Sequence, residues 1–210
     1  MVKEHIPDVV PSDEVSTSAY DNASRELLKP ILNHSLRVFL FAKALAAREH
    51  SDWASPRRLP LLFAACIYHD MGTSCGAHSP SRFEVEGADA AERDLRSLSV
   101  SETDAHEVWV AIALHTSPHI AERISSLARL VRLAVLMDFK RKDALTLTTE
   151  EEVAEFEGLF PRLEAEQVLG DAVVQQALKR PEKAPAASWA GVLLKSKLEN
   201  PDWEGVNKAF

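Results

Sequence analysis

The sequence predicts an all-α fold. Apolar residues recur at three- and four-residue intervals through one segment after another from Arg25 onward, and no stretch shows the apolar–polar alternation of a half-buried strand. No internal repeat is present, and 210 residues suffice for one domain whose core needs no disulfide staple.

Residues 1–22, with Pro7, Pro11 and a polar composition, are predicted to form an extended N-terminal arm leading into a domain that spans 23–210. In "RELLKPILNHSLRVFLFAKALAAREH", Leu28, Leu32, Leu36 and Phe39 follow helical spacing. Pro30 divides this run, so His34 falls early in the second, longer helix. The next helix, "LPLLFAACIYHD", is apolar on every side and therefore central, with Gly72 as its expected C-terminal cap. A loop, "SCGAHSPS", precedes a helix through "RFEVEGADAAERDLRSL". "SETDAHEVWVAIALHTS" opens with Ser101 and Asp104 in capping-box register, which puts Val108, Ile112 and His115 on one buried stripe. Ser117 followed by Pro118 predicts a new helix starting "SPHIAERI". Four more helices fit "LARLVRLAVLMDF", "TTEEEVAEFEGLF", "LEAEQVLGDAVVQQALK" and "SWAGVLLKSKLE". The acidic run from Glu150 to Glu152 begins the second of these, where the helix dipole favours negative charge, and needs no functional role.

Composition excludes several classes. A net charge of -8 with Lys and Arg interleaved among Asp and Glu argues against nucleic acid as a partner. No signal-peptide core and no apolar stretch approaching ~20 residues is present, which predicts no membrane association and a cytoplasmic protein. The two cysteines, Cys66 and Cys75, lack Cys-x-x-Cys spacing and read as reduced thiols, neither of them a nucleophile.

Four polar residues lie on or at the ends of strongly apolar helices: His34, His69, Asp70 and Asp138. Burying an unpaired carboxylate costs a few kcal/mol or more, and a divalent cation compensates two carboxylates and two imidazoles at once. Equal numbers of imidazole nitrogen and carboxylate oxygen suit zinc, iron, manganese or cobalt, and leave positions open for water and a small-molecule substrate.

The order His34, then His69-Asp70, then Asp138 on successive helices resembles the pattern of the HD-domain metal-dependent hydrolases. "NHSLRVFLFA", "YHDMGT", "RFEVEGADAA" and "IALHTS" are similar to the cyanamide hydratase branch of that superfamily. The resemblance implies a single helical HD domain with a buried zinc held by His34, His69, Asp70 and Asp138. It also implies hydration of cyanamide to urea and a homo-oligomer. The chemistry agrees, since a cation lowers the pKa of a bound water toward neutrality. Asp70 or Asp138 is then a candidate proton acceptor and His115 a candidate proton donor to the nitrogen. Thr73, Phe83, Glu86 and Thr116 are the candidate substrate-binding residues. Pro118 argues against His115 and His119 sharing one helix face, so one metal is favoured over two, and His78 reads as a solvated loop histidine. The basic "FKRKD" after Asp138 and the loop "SCGAHSPS" depart from the branch pattern as segments that bear on substrate choice. An HD-type nucleotide phosphohydrolase is the alternative, with Arg37, Arg82 and Lys140 as candidate phosphate partners. A non-catalytic helical module is the reading from another class.

Overall fold

A computed structural model describes residues 6–74, 79–203 and 205; Cys75 and His78 lie outside the described residues. Ten α-helices and no strand are found among the described residues: α1 Glu14–Glu26, α2 Lys29–Arg48, α3 Leu59–Tyr68, α4 Phe83–Ser97, α5 Glu102–Leu114, α6 Ala121–Ile124, α7 Ser126–Asp138, α8 Glu150–Leu159, α9 Ala165–Lys179 and α10 Trp189–Glu199. The all-α expectation holds. No described helix is long and apolar enough to cross a membrane.

The helix ends follow local chemistry. Pro30 sits in the first turn of α2, where its missing N–H costs nothing. Ser101 caps α5 by accepting the Asp104 N–H at 3.1 Å. Thr149 and Glu152 form a reciprocal capping box at the start of α8. α3 is buried on every face, as its uniform apolarity requires, and packs among α1, α2, α4 and α5.

Three expectations need correction. The segment read as an extended arm is helical from Glu14: Asp13 accepts the Ser16 N–H at 2.9 Å, and Ala19, Tyr20 and Ala23 bury one stripe against α3. α1 therefore runs across the boundary set at residue 22. Ser117-Pro118 does not open a helix; the chain turns there, His119 adopts φ 65°, and only the single turn of α6 follows, from Ala121. Gly72 does not cap α3, which ends at Tyr68; it sits in a 3₁₀ turn, Met71–Thr73.

Gly72 answers instead to a close approach. A Cβ there would lie 1.9 Å from the Phe83 carbonyl oxygen, so the turn carrying His69 and Asp70 rests directly on the first residue of α4. Gly87, one turn on, completes the contact, for a Cβ at that position would meet the Tyr68 carbonyl oxygen at 2.8 Å. Backbone against backbone fixes this junction more tightly than side-chain packing does. A smaller cluster of Val173, Val174, Ala177, Ala190 and Leu193 then lays α9 and α10 over Phe83, with Trp189 beside it. Gln176 of α9 ties this layer down by donating to the carbonyls of Gly72, at 2.8 Å, and Thr73, at 2.9 Å.

Gly72→Ala is expected to lower unfolding stability by about 1–3 kcal/mol, the usual cost of overpacking. Gly158→Ala, in α8 with open space around its Cβ position, is expected to leave stability unchanged or raise it by up to about 1 kcal/mol, by helix propensity. Urea titration of the two variants measures the difference.

Candidate metal centre

α2, the end of α3, the end of α5 and α7 bring His34, His69, Asp70, His115 and Asp138 into one buried region. Their tautomers follow from their outer partners. His69 Nδ1 lies 2.7 Å from the Cys66 carbonyl and His115 Nδ1 lies 2.7 Å from the Ile112 carbonyl. A carbonyl only accepts, so each Nδ1 carries the hydrogen. His34 Nδ1 faces an oxygen of Asp138 at 2.6 Å and donates to it in the same way. All three Nε2 atoms are thus left with lone pairs turned inward.

Those lone pairs converge. His34 Nε2 and His69 Nε2 are 3.1 Å apart, and Asp70 Oδ2 lies 3.1 Å from the latter and 3.5 Å from the former. Neither Asp70 oxygen has a hydrogen-bond donor. Two facing lone pairs and a buried carboxylate repel one another unless something positive lies between them. The spacing fits a metal: ligand bonds of about 2.0–2.2 Å in a tetrahedron separate the ligand atoms by about 3.3 Å. The residues present therefore suit a divalent cation, held by His34, His69 and Asp70.

The electrostatics agree. Burial alone would raise the Asp70 carboxyl, but the His69, His34 and His115 rings more than reverse this and hold it at about 2. Burial alone would lower His69, and the Asp70 carboxylate with the Cys66 carbonyl raises it instead, a negative surrounding that favours a cation at its Nε2. His115 responds differently. Burial and the neighbouring His69 push it down to about 3, and it remains a neutral imidazole whose Nε2 stands 3.7 Å from Asp70 Oδ1.

Asp138 occupies another position. Its carboxylate receives Arg37 Nε at 2.6 Å and Nη2 at 2.9 Å, besides His34 Nδ1, and it is absent from the converging donor atoms. Expected from the sequence as a fourth ligand, it faces His34 Nδ1 here and fixes that ring's tautomer and tilt. Phe139 stacks on the same ring with centroids 4.5 Å apart.

The HD-domain family model matches residues 31–134, a span that contains His34, His69, Asp70 and His115. The chain carries an HD domain. Two proteins of Saccharomyces cerevisiae (strain ATCC 204508 / S288c), cyanamide hydratase DDI2 and cyanamide hydratase DDI3, are each 25% identical to it over 158 residues, 73% of this chain and 68% of theirs. The sequence-derived relationship to HD domains of the cyanamide hydratase kind thus stands.

Within this HD domain the remaining candidates separate. Thr116 lines the cavity above the cluster together with His34, His69, Asp70, His115 and Trp189. Phe83 sets its ring edge-on to His115 at 5.8 Å and beside Trp189 at 5.7 Å. Glu86 points elsewhere and pairs with buried Lys183 at 2.5 Å, which pins the segment before α10 to α4. Thr73 spends its hydroxyl on the Asp70 carbonyl at 2.7 Å, a local turn bond, and does not line the cavity. His119 is exposed on its turn.

Sequence reasoning missed Trp189 and Glu84, and it offered Arg37 to a phosphate where the structure pairs it with Asp138. Arg37 lies three residues after His34 on the apolar face of α2, which is the signal that an arginine there needs a buried anion. Glu84 is fully buried; one oxygen accepts the Thr116 hydroxyl at 2.7 Å and the other lies 3.5 Å from Arg82 Nε without a hydrogen bond. Burial raises its carboxyl, while the Arg82 guanidinium and the Thr116 hydroxyl pull the other way.

This arrangement separates the two aspartates experimentally. Asp70→Asn is expected to abolish divalent-metal binding, whereas Asp138→Asn should retain it with affinity reduced by about 10–100-fold, the usual effect of loosening an orienting partner. Competition against a chromogenic chelator measures both; equal losses would put Asp138 among the ligands.

Proposed function

We propose that this HD domain is a metal-dependent hydratase that adds water across a small carbon–nitrogen triple bond, converting cyanamide to urea. The observation that carries this reading is the size of the cavity. The space over the donor cluster, closed by Trp189, Phe139, Leu169 and Val135, leaves about 10 Å³ for the centre of a water-sized sphere. That is room for about one water. Room of that size favours a slim, neutral, three-heavy-atom substrate over a nucleotide. The similarity to two cyanamide hydratases supports the same substrate.

The charges support it too. A phosphohydrolase needs uncommitted cations near its metal, and the three candidates are engaged: Arg37 with Asp138, Lys140 with Glu157 at 2.8 Å, and Arg82 beside Glu84. A divalent cation, with zinc the best match to the His/Asp donors and iron, manganese or cobalt as alternatives, supplies Lewis-acid polarisation and a water of lowered pKa. The chain's own residues do the rest. His115 is neutral with its Nε2 lone pair facing the cavity, so it accepts a proton from the attacking water before it can donate one. Asp70 Oδ1, 3.7 Å away, faces the imidazolium so formed. His115 then returns the proton to the former nitrile nitrogen, giving isourea, which tautomerises to urea. Water adds across the bond with no other product, and no redox partner is needed. Trp189, Phe139 and Leu169 exclude further water from the site.

Zinc-loaded protein incubated with cyanamide is expected to release urea, and a His69→Ala control should release none above background. His115→Gln should keep its metal content and lose about 10²–10⁴-fold in kcat. A metal-loaded, folded protein that forms no urea overturns this reading.

A further inference from the structure

The buried pair of Glu84 and Thr116 carries a statement about substrate choice. Thr116 follows His115 directly and is the hydroxyl residue lining the cavity above the donor cluster. A threonine hydroxyl has one hydrogen to give and two lone pairs. Here the hydrogen is already given, to Glu84 Oε1 at 2.7 Å. Arg82 Nε, 3.5 Å from Glu84 Oε2, favours the carboxylate form, and a carboxylate has no hydrogen of its own to give, so the Thr116 hydroxyl is the donor. With its hydrogen committed inside the protein, Thr116 has only acceptor capacity left for the cavity.

We propose that Glu84, acting through Thr116, makes the site select nitriles that carry an N–H donor, cyanamide and its N-monosubstituted derivatives, over carbon nitriles. This rests on the hydratase reading above and narrows its substrate class. Acetonitrile and cyanamide are closely similar in shape and differ chiefly in a methyl group against an amino group. The methyl leaves the Thr116 oxygen buried without a donor, and the amino group supplies one. Sites built to hydrogen-bond a substrate N–H discriminate strongly against an analogue that lacks it, because the unmatched polar atom has lost its water. Glu84 is a positioning residue in this scheme: it touches Thr116, and Thr116 meets the substrate.

Line broadening of the ¹³C-labelled nitrile carbon in zinc-loaded protein, recorded for cyanamide and for acetonitrile before appreciable turnover, gives both affinities, and urea is assayed in the same samples. The unmodified protein is expected to bind cyanamide roughly tenfold or more tightly than acetonitrile, the worth of about one hydrogen bond. Thr116→Ser keeps the hydroxyl and should keep the preference. Thr116→Val should bring the two affinities to within about threefold, mainly by weakening cyanamide. Glu84→Gln, whose amide can donate to Thr116 and so release the hydroxyl hydrogen, should reduce the preference in the same direction with metal content intact. Absence of urea with the binding preference present removes the reaction and leaves the selection standing. Urea formation with equal affinity for both nitriles, or a preference unchanged in folded Thr116→Val and Glu84→Gln, overturns the selection.

Discussion

The rest of the site depends on one buried ion pair, that between Arg37 and Asp138. Arg37 is fully buried, and its guanidinium fork meets both carboxylate oxygens of Asp138 while its remaining nitrogen donates to the Phe160 carbonyl at 2.8 Å. Arg162 adds a bond to the Asp138 backbone carbonyl at 2.7 Å, and Asn33 donates to the Pro161 carbonyl at 2.8 Å. The ion pair and the bonds around it thus tie α2, α7 and the segment after α8 together. A charge pair this deep is a poor source of net stability, since desolvation consumes most of its Coulombic gain. What it does supply is a fixed acceptor for His34 Nδ1, and with it the direction of the Nε2 lone pair on which the donor cluster rests.

The second constraint is backbone proximity. His69 and Asp70 are consecutive, and their side chains reach one cluster because α3 ends just before them at Tyr68 and the following 3₁₀ turn redirects the chain. That turn cannot drift, because Gly72 lies against the Phe83 carbonyl and Gly87 against the end of α3. The same contact delivers Phe83 to His115 and Glu84 to Thr116. The first turn of α4 therefore does two things at once: it holds the metal-side turn from beneath and provides the wall and the hidden carboxylate of the substrate side.

Much of this was legible in sequence, and the failures have physical causes. Eight helix-forming segments were legible because their apolar residues recur at helical spacing or, in α3, fill every face. α1 did not, because its buried stripe is made of Ala19, Tyr20 and Ala23 among serines and threonines, too small and polar a face for a periodicity test. Ser117-Pro118 imitated a helix start, but the left-handed His119 that follows breaks the turn, a conformation the residue types alone do not announce. His34, His69 and Asp70 were found because polar residues in apolar helices are costly, and that argument depends on burial alone. The same argument named Asp138, whose carboxylate meets Arg37 and His34. Burial says that a carboxylate must be compensated and leaves open whether a metal or an arginine compensates it.

The choice between the two glutamates of the Phe83–Gly87 stretch shows where a geometric reading of sequence improves on motif matching. Residues on a helix advance by about 100° each, so Glu84 lies about 60° from Gly87 around the axis and Glu86 about 100° from it. A glycine in mid-helix marks the side on which another backbone approaches. Taking Gly87 as the direction of the neighbouring chain favours Glu84 and Phe83 as the inward pair and leaves Glu86 for the flank, where it meets Lys183. The acid that touches the cavity through Thr116 is thus the one whose position relative to a glycine, rather than its motif letter, points it there. The principle extends to the cations of this fold. Arg37 and Arg82, which from sequence read as phosphate partners, each lie beside a buried carboxylate, and a site whose positive charges are consumed in positioning acids is left with donor atoms suited to a metal, a neutral histidine and a hydroxyl oxygen that can accept. That combination favours a small uncharged substrate with hydrogens to donate.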